Sequence, residues 1–70
     1  MPVKKIRGQR IAQARIDAGF SQQGFADKLG VGRQTIARLE GGGQTPSVDM
    51  ALAIAGELGQ SVEALFGGGR

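Results

Sequence analysis

The sequence contains no cysteine, no histidine, no tryptophan and no tyrosine. Without cysteine there is no disulfide and no thiolate metal site. Without histidine the commonest metal ligand and general base is missing. The carboxylates, lysines and hydroxyls that remain are scattered rather than clustered, so neither an enzyme active site nor a cofactor is expected. No apolar run approaches the roughly 20 residues of a membrane span. The start, Met1-Pro2-Val3-Lys4-Lys5, is basic but lacks the apolar stretch of a signal peptide. The expectation is a cytoplasmic protein, although a lack of cysteine fits any compartment.

What is present is 70 residues, enough for one domain. A chain this short buries only about 60% of its unfolded surface, which makes a small core and a modest stability. The net charge of +3 is unevenly spread. Before Gly41 stand Lys4, Lys5, Arg7, Arg10, Arg15, Lys28, Arg33 and Arg38 against Asp17, Asp27 and Glu40, eight cations to three carboxylates, or +5. The remainder has Arg70 against Asp49, Glu57 and Glu63, or −2. That asymmetry points to an anionic partner for the first half.

Glycine, serine and proline divide the chain into five helical stretches. The first runs from about Ile6 to Ala18, with Ile11, Ala14, Arg15 and Ala18 on one face. Ser21 caps a second through Leu29, and Gly30 ends it. A third lies between Gly32 and Gly41. Ser47 caps a fourth to Leu58, on which Val48, Ala51, Leu52, Ala55 and Leu58 form the main apolar stripe. Ser61 caps a short fifth through Phe66. No stretch alternates polar and apolar long enough for a strand. The fold class expected is all-α, with residues 1–66 as the domain and 67–70, Gly-Gly-Gly-Arg, as a flexible tail that either ends the protein or leads to an effector domain.

The most specific segment runs from Phe20 to Glu40. Two short helices flank a tight turn at Gly30-Val31-Gly32, the layout of a helix-turn-helix whose second helix enters the major groove. With Arg33 at the origin and about 100° per residue, Gln34, Ala37 and Arg38 fall at about 100°, 40° and 140°. Ile36 and Leu39 lie on the other side, at about 300° and 240°. One face is therefore polar and unobstructed, the other apolar. Arginine can donate two hydrogen bonds to guanine, and glutamine can pair with adenine. The small Ala37 permits close approach to a base edge.

As a set, Arg15 before Gly19, Ser21-Gln22, Phe25-Ala26, Leu29-Gly30-Val31, Arg33-Gln34-Thr35-Ile36, Leu39-Glu40, Pro46-Ser47, Ala55, Leu58-Gly59 and Ser61-Val62 resemble the phage-repressor and Cro type of helix-turn-helix, the XRE family. The resemblance covers about residues 6–66. It implies a five-helix lambda-repressor-like fold and a sequence-specific regulator of transcription, expected to repress by occupying a site that polymerase needs. It implies duplex DNA as partner, a two-fold operator and a homodimer, in a bacterial or phage cytoplasm. Arg33, Gln34, Ala37 and Arg38 take the base-reading positions. Gln22 takes the place of the family's glutamine that binds a phosphate and braces the recognition helix, and Thr35 and Arg10 are further phosphate candidates. The loop Gly41-Gly42-Gly43-Gln44 is uncharged where the family's is basic, so phosphate contact there falls to the backbone N–H groups of Gly42 and Gly43 and to Gln44. Arg15 and Glu40 both point inward and are paired in the family, so a buried ion pair is expected.

Two other readings stay open. One is an antitoxin that binds a toxin protein and represses its own operon. The other is an adaptor that uses the fold without DNA. Met50, Ile54, Leu65 and Phe66 are candidates for a dimer or partner surface, since Met50 and Ile54 lie off the fourth helix's main stripe. Lys4 and Lys5 form either an arm along the phosphate backbone or a solvated start.

Overall fold

The computed structural model describes residues 3–66, with side chains described from Arg7 onward. It contains five helices, α1 Val3–Asp17, α2 Gln22–Leu29, α3 Arg33–Gly41, α4 Val48–Leu58 and α5 Val62–Phe66. There is no strand among the described residues. Three serines set the helix starts. Ser21, Ser47 and Ser61 each accept a hydrogen bond from the backbone N–H three residues on, at 2.9, 3.1 and 3.0 Å. Each satisfies a donor that has no partner inside its helix. Lys4 and Lys5 fall within α1, which begins at Val3 rather than at about Ile6. The Gly-rich tail lies outside the described residues.

The turn between α2 and α3 depends on Gly30, whose φ is 73°. A side chain rarely adopts that left-handed geometry. It lets the N–H of Val31 close onto the carbonyl of Ala26 at 3.0 Å and sends the chain directly into α3. Gly32 then starts α3 with no side-chain cap.

The core is Ile11 and Ala14 of α1, Phe25 and Ala26 of α2, Ile36 and Leu39 of α3, Ile54 and Ala55 of α4, and Leu65 of α5. Phe20 leans on Phe25 with ring centroids 5.4 Å apart. α3 packs on α1 and α2, while α4 packs on α2 and α5, and α5 returns to α1. The crossing of α1 over α3 is tight at Gly8. A Cβ built there would lie 2.4 Å from the carbonyl oxygen of Glu40 and 2.6 Å from that of Leu39. Only a glycine lets the two backbones meet.

The stripe on α4 differs from expectation. Val48 and Leu52 are 76% and 57% exposed, and the inward face is Met50, Ile54, Ala55 and Leu58. The candidate partner surface fails for the same reason. Ile54 and Leu65 are fully buried, and Met50 and Phe66 are half-buried against the core. α4 carries apolar residues nearly all round, so periodicity alone cannot select its buried face. The contacts with α2 and α5 select it. Ala18, expected on the packed face of α1, is exposed just beyond that helix's end.

Two glycine-to-alanine substitutions should therefore act in opposite directions. Gly8→Ala must push α3 off α1 and should destabilise the fold by about 1–3 kcal/mol, the range of overpacked contacts. Gly56→Ala lies on the exposed side of α4 with nothing within 4 Å of the added Cβ. It should stabilise by about 0.5–1 kcal/mol through helix propensity. Thermal melts of the two variants check both signs.

Candidate nucleic-acid interface

α3 is held by its back and free on its front. Ile36 and Leu39 are buried at 0% and 1% exposure, while Arg33, Gln34 and Arg38 are exposed and Ala37 is half-buried among them. The four residues with base-reading chemistry thus share one outward face, as the helical period requires. Thr35 is half-buried, and its N–H is spent on the carbonyl of Gly32 at 3.0 Å. Only its hydroxyl remains available to a ligand.

The buried ion pair fixes α3 to α1. Arg15 Nε donates to Glu40 Oε2 at 2.6 Å, and Nη2 donates to Oε1 at 3.1 Å. The two side chains are 11% and 7% exposed. The third arm of the guanidinium, Nη1, donates to the carbonyl of Phe20 at 2.7 Å. One planar fork thereby joins α1, the α1–α2 turn and the last turn of α3, a task that suits arginine and not lysine.

Gln22 opens α2 beside the start of α3. Its Nε2 donates to Glu40 Oε1 at 3.1 Å, and its Oε1 accepts from Arg33 Nη1 at 3.3 Å. The resemblance implied that Gln22 braces α3, and both contacts do so, but it did not name Glu40 and Arg33 as the partners. The two contacts join positions 18 and 11 residues apart on different helices, for which a single sequence carries no signal.

Three expected phosphate contacts are displaced. The N–H of Gly42 bonds the carbonyl of Leu39 at 3.4 Å, and that of Gly43 bonds Arg38 at 3.0 Å. These groups close the C-terminal end of α3 and are not free for an anion. Arg10 stands two residues from Gly8, which faces α3, and is turned about 200° from it around α1. It lines the groove between α1 and α5 with Gln13, Asp17 and Gln60. Arg7, which the sequence did not single out, lies beside Gln44, Thr45 and Pro46 at a shallow hollow over Leu39. It brings a cation to the uncharged loop through a contact that only the folded chain creates.

This geometry has known counterparts. A model of the helix-turn-helix family matches residues 11–65. The chain belongs to that family, in its XRE or Cro/C1 branch. An uncharacterised helix-turn-helix transcriptional regulator of Archaeoglobus fulgidus is 40% identical over 57 residues, covering 81% of each chain. One from Methanothermobacter thermautotrophicus is 40% identical over 57 residues, covering 80% of this chain and 83% of that protein. Among solved structures, the restriction-modification controller protein C.AhdI from Aeromonas hydrophila superposes with a TM-score of 0.82 at 29% identity, over 89% of this chain and 90% of that one. The helix-turn-helix protein is a DNA-binding transcriptional regulator and not an enzyme. No helix among its described residues is long and apolar enough to cross a membrane.

Removing one member of the buried pair should be severe. Glu40→Ala strands the Arg15 cation and should cost ~3–5 kcal/mol, a large part of the ~5–15 kcal/mol that holds a typical domain. Arg15→Met with Glu40→Leu removes both charges and should be far milder. Urea unfolding of the two variants tests this. A loss below ~1 kcal/mol for Glu40→Ala would mean that the pair behaves as solvated surface charge.

Proposed function

We propose that this regulator binds duplex DNA sequence-specifically, with α3 in the major groove, and represses by occupying sites that polymerase needs. The observation that carries the reading is the division of α3 into a buried back and a clear polar front. α3 has nine residues, about 13 Å at about 1.5 Å per residue, against a major groove about 12 Å wide. Its two ends therefore approach the two phosphate walls. Gln22 and the N-terminus of α2 stand at one end, where unpaired N–H groups suit an anion. Arg7, Gln44 and the Thr45 segment stand at the other. Arg33 and Arg38 suit guanine, Gln34 suits adenine, and Ala37 leaves room between them. Thr35 offers its hydroxyl to the backbone. The reading places the protein in the cytoplasm, where its DNA lies.

A selection of bound duplexes from a random pool, at stated salt, tests the reading directly by returning a defined motif. Log affinity should fall linearly with log salt, by about 0.9 for each phosphate neutralised. Arg7→Gln should lower that slope by about one such unit and weaken all sequences alike. Arg10→Gln should leave it unchanged. Equal effects of the two would assign Arg7 to general charge rather than to contact.

The same proposal includes a homodimer on a two-fold site. The basic half faces DNA, so two bound copies meet through the C-terminal half. With Ile54 and Leu65 buried, the large exposed apolar residues of that half, among the described residues, are Val48 and Leu52 on α4. Leu52→Glu should leave the monomer's stability within about 0.5 kcal/mol, as exposed substitutions do. It should shift sedimentation toward the monomer and weaken binding to a two-fold site more than to a half-site. Unchanged sedimentation would place the contact elsewhere.

A further inference from the structure

We propose that Glu40 is a positioning residue for base reading: acting through Gln22, it fixes the guanidinium of Arg33 toward the DNA. The inference rests on the reading of Arg33 as a base-contacting residue. It goes beyond that reading by assigning a buried carboxylate, which touches no DNA, to the readout of one base pair.

Hydrogen-bond polarity fixes the orientation of Gln22. A glutamine amide can present either its oxygen or its nitrogen to a neighbour. Gln22 has two neighbours of fixed polarity. Ionised Glu40 can only accept, and Arg33 can only donate. A single orientation satisfies both, with Nε2 toward Glu40 at 3.1 Å and Oε1 toward Arg33 at 3.3 Å. Glu40 does not yield to Gln22, because two bonds from Arg15 already hold its carboxylate. The order of constraint therefore runs from the buried pair outward to an exposed side chain. Arg33 spends one of its five N–H groups on Gln22 and keeps the rest for the acceptors of guanine. An exposed arginine otherwise loses much rotamer freedom on binding, and a brace set beforehand reduces that loss.

Replacing Glu40 by glutamine removes the obligatory acceptor. The Gln22 amide can then turn its NH2 group toward Arg33, where two donors repel and the brace is lost. A change confined to this relay has a signature that general loosening lacks. Arg38 sits on the same helix but receives no bond from Gln22. A tilt of α3 would disturb both arginines, whereas loss of the relay disturbs Arg33 alone.

The experiment is a selection from random duplexes by the full chain and its variants Arg33→Ala, Glu40→Gln, Arg33→Ala/Glu40→Gln and Arg15→Met/Glu40→Leu. Circular dichroism reports whether each is folded. Glu40→Gln should weaken preference at the base pair whose preference Arg33→Ala abolishes, by about two- to tenfold, the worth of one hydrogen bond. Preference at the pair read by Arg38 should persist, and Glu40→Gln should add nothing once Arg33 is alanine. The double apolar variant, which should keep the fold without the carboxylate, should show the same selective loss. The inference is overturned if either Glu40 variant lowers affinity for all duplexes by one common factor with preferences intact. It is equally overturned if the Arg33 and Glu40 effects multiply, or if preference at Arg38's pair falls as much. If Arg33→Ala itself changes no base preference, the base-reading assignment is wrong and the inference falls with it.

Discussion

α3 has to be rigid on one side and bare on the other, and nearly everything else in the domain follows from that constraint. A nine-residue helix does not hold itself in water; isolated helices below ~12–15 residues are marginal. Its order comes from α1 and α2 at its back. Ile36 and Leu39 supply the apolar contact, Gly8 lets α1 come close enough to make it, and Arg15 grips the last turn through Glu40. None of these groups projects on the reading face. The front can therefore carry two arginines and a glutamine without any of them being needed for the fold.

The helix boundaries were legible in the sequence because they rest on local chemistry. Ser21, Ser47 and Ser61 cap in the structure where they stand in the sequence, and Gly30 and Gly59 end α2 and α4. The outward face of α3 was legible for a related reason, since the helical period and two large apolar residues determine it. The buried face of α4 was not. Val48, Met50, Ala51, Leu52, Ile54, Ala55 and Leu58 surround that helix, and more than one stripe satisfies the period. Which loop N–H groups stay free was not legible either. Counting free N–H groups in the loop missed that Gly42 and Gly43 spend theirs on the end of α3. The direction of Arg10 was not legible, because it depends on which side of α1 meets α3, which Gly8 determines and the sequence does not announce.

Charge follows the same division. The +5 half holds α1 to α3, and α4 and α5 carry Asp49, Glu57 and Glu63 and no cation. Long-range attraction orients the protein before contact, since a domain with one basic side approaches a polyanion by that side. The uncharged loop 41–44 is an exception at the rim of the basic half, and the fold places Arg7 next to it.

Glu40 shows where local rules yield to tertiary structure. It stands in the last turn of α3, against the negative end of the helix dipole, where a carboxylate is disfavoured by about 0.3–1 kcal/mol. Arg38, in the same turn, is where propensity would put a cation. A sequence optimised for this helix alone would not hold glutamate at position 40. The tertiary structure supplies the reason, because Arg15 brings two donors to that carboxylate and Gln22 brings a third. The residue is unfavourable to its own helix and necessary to three. Conflict between local preference and global arrangement is expected at positions that serve something other than stability. Here that conflict lies at a buried carboxylate whose hydrogen bonds lead, through a single amide, to Arg33 on the exposed face of α3.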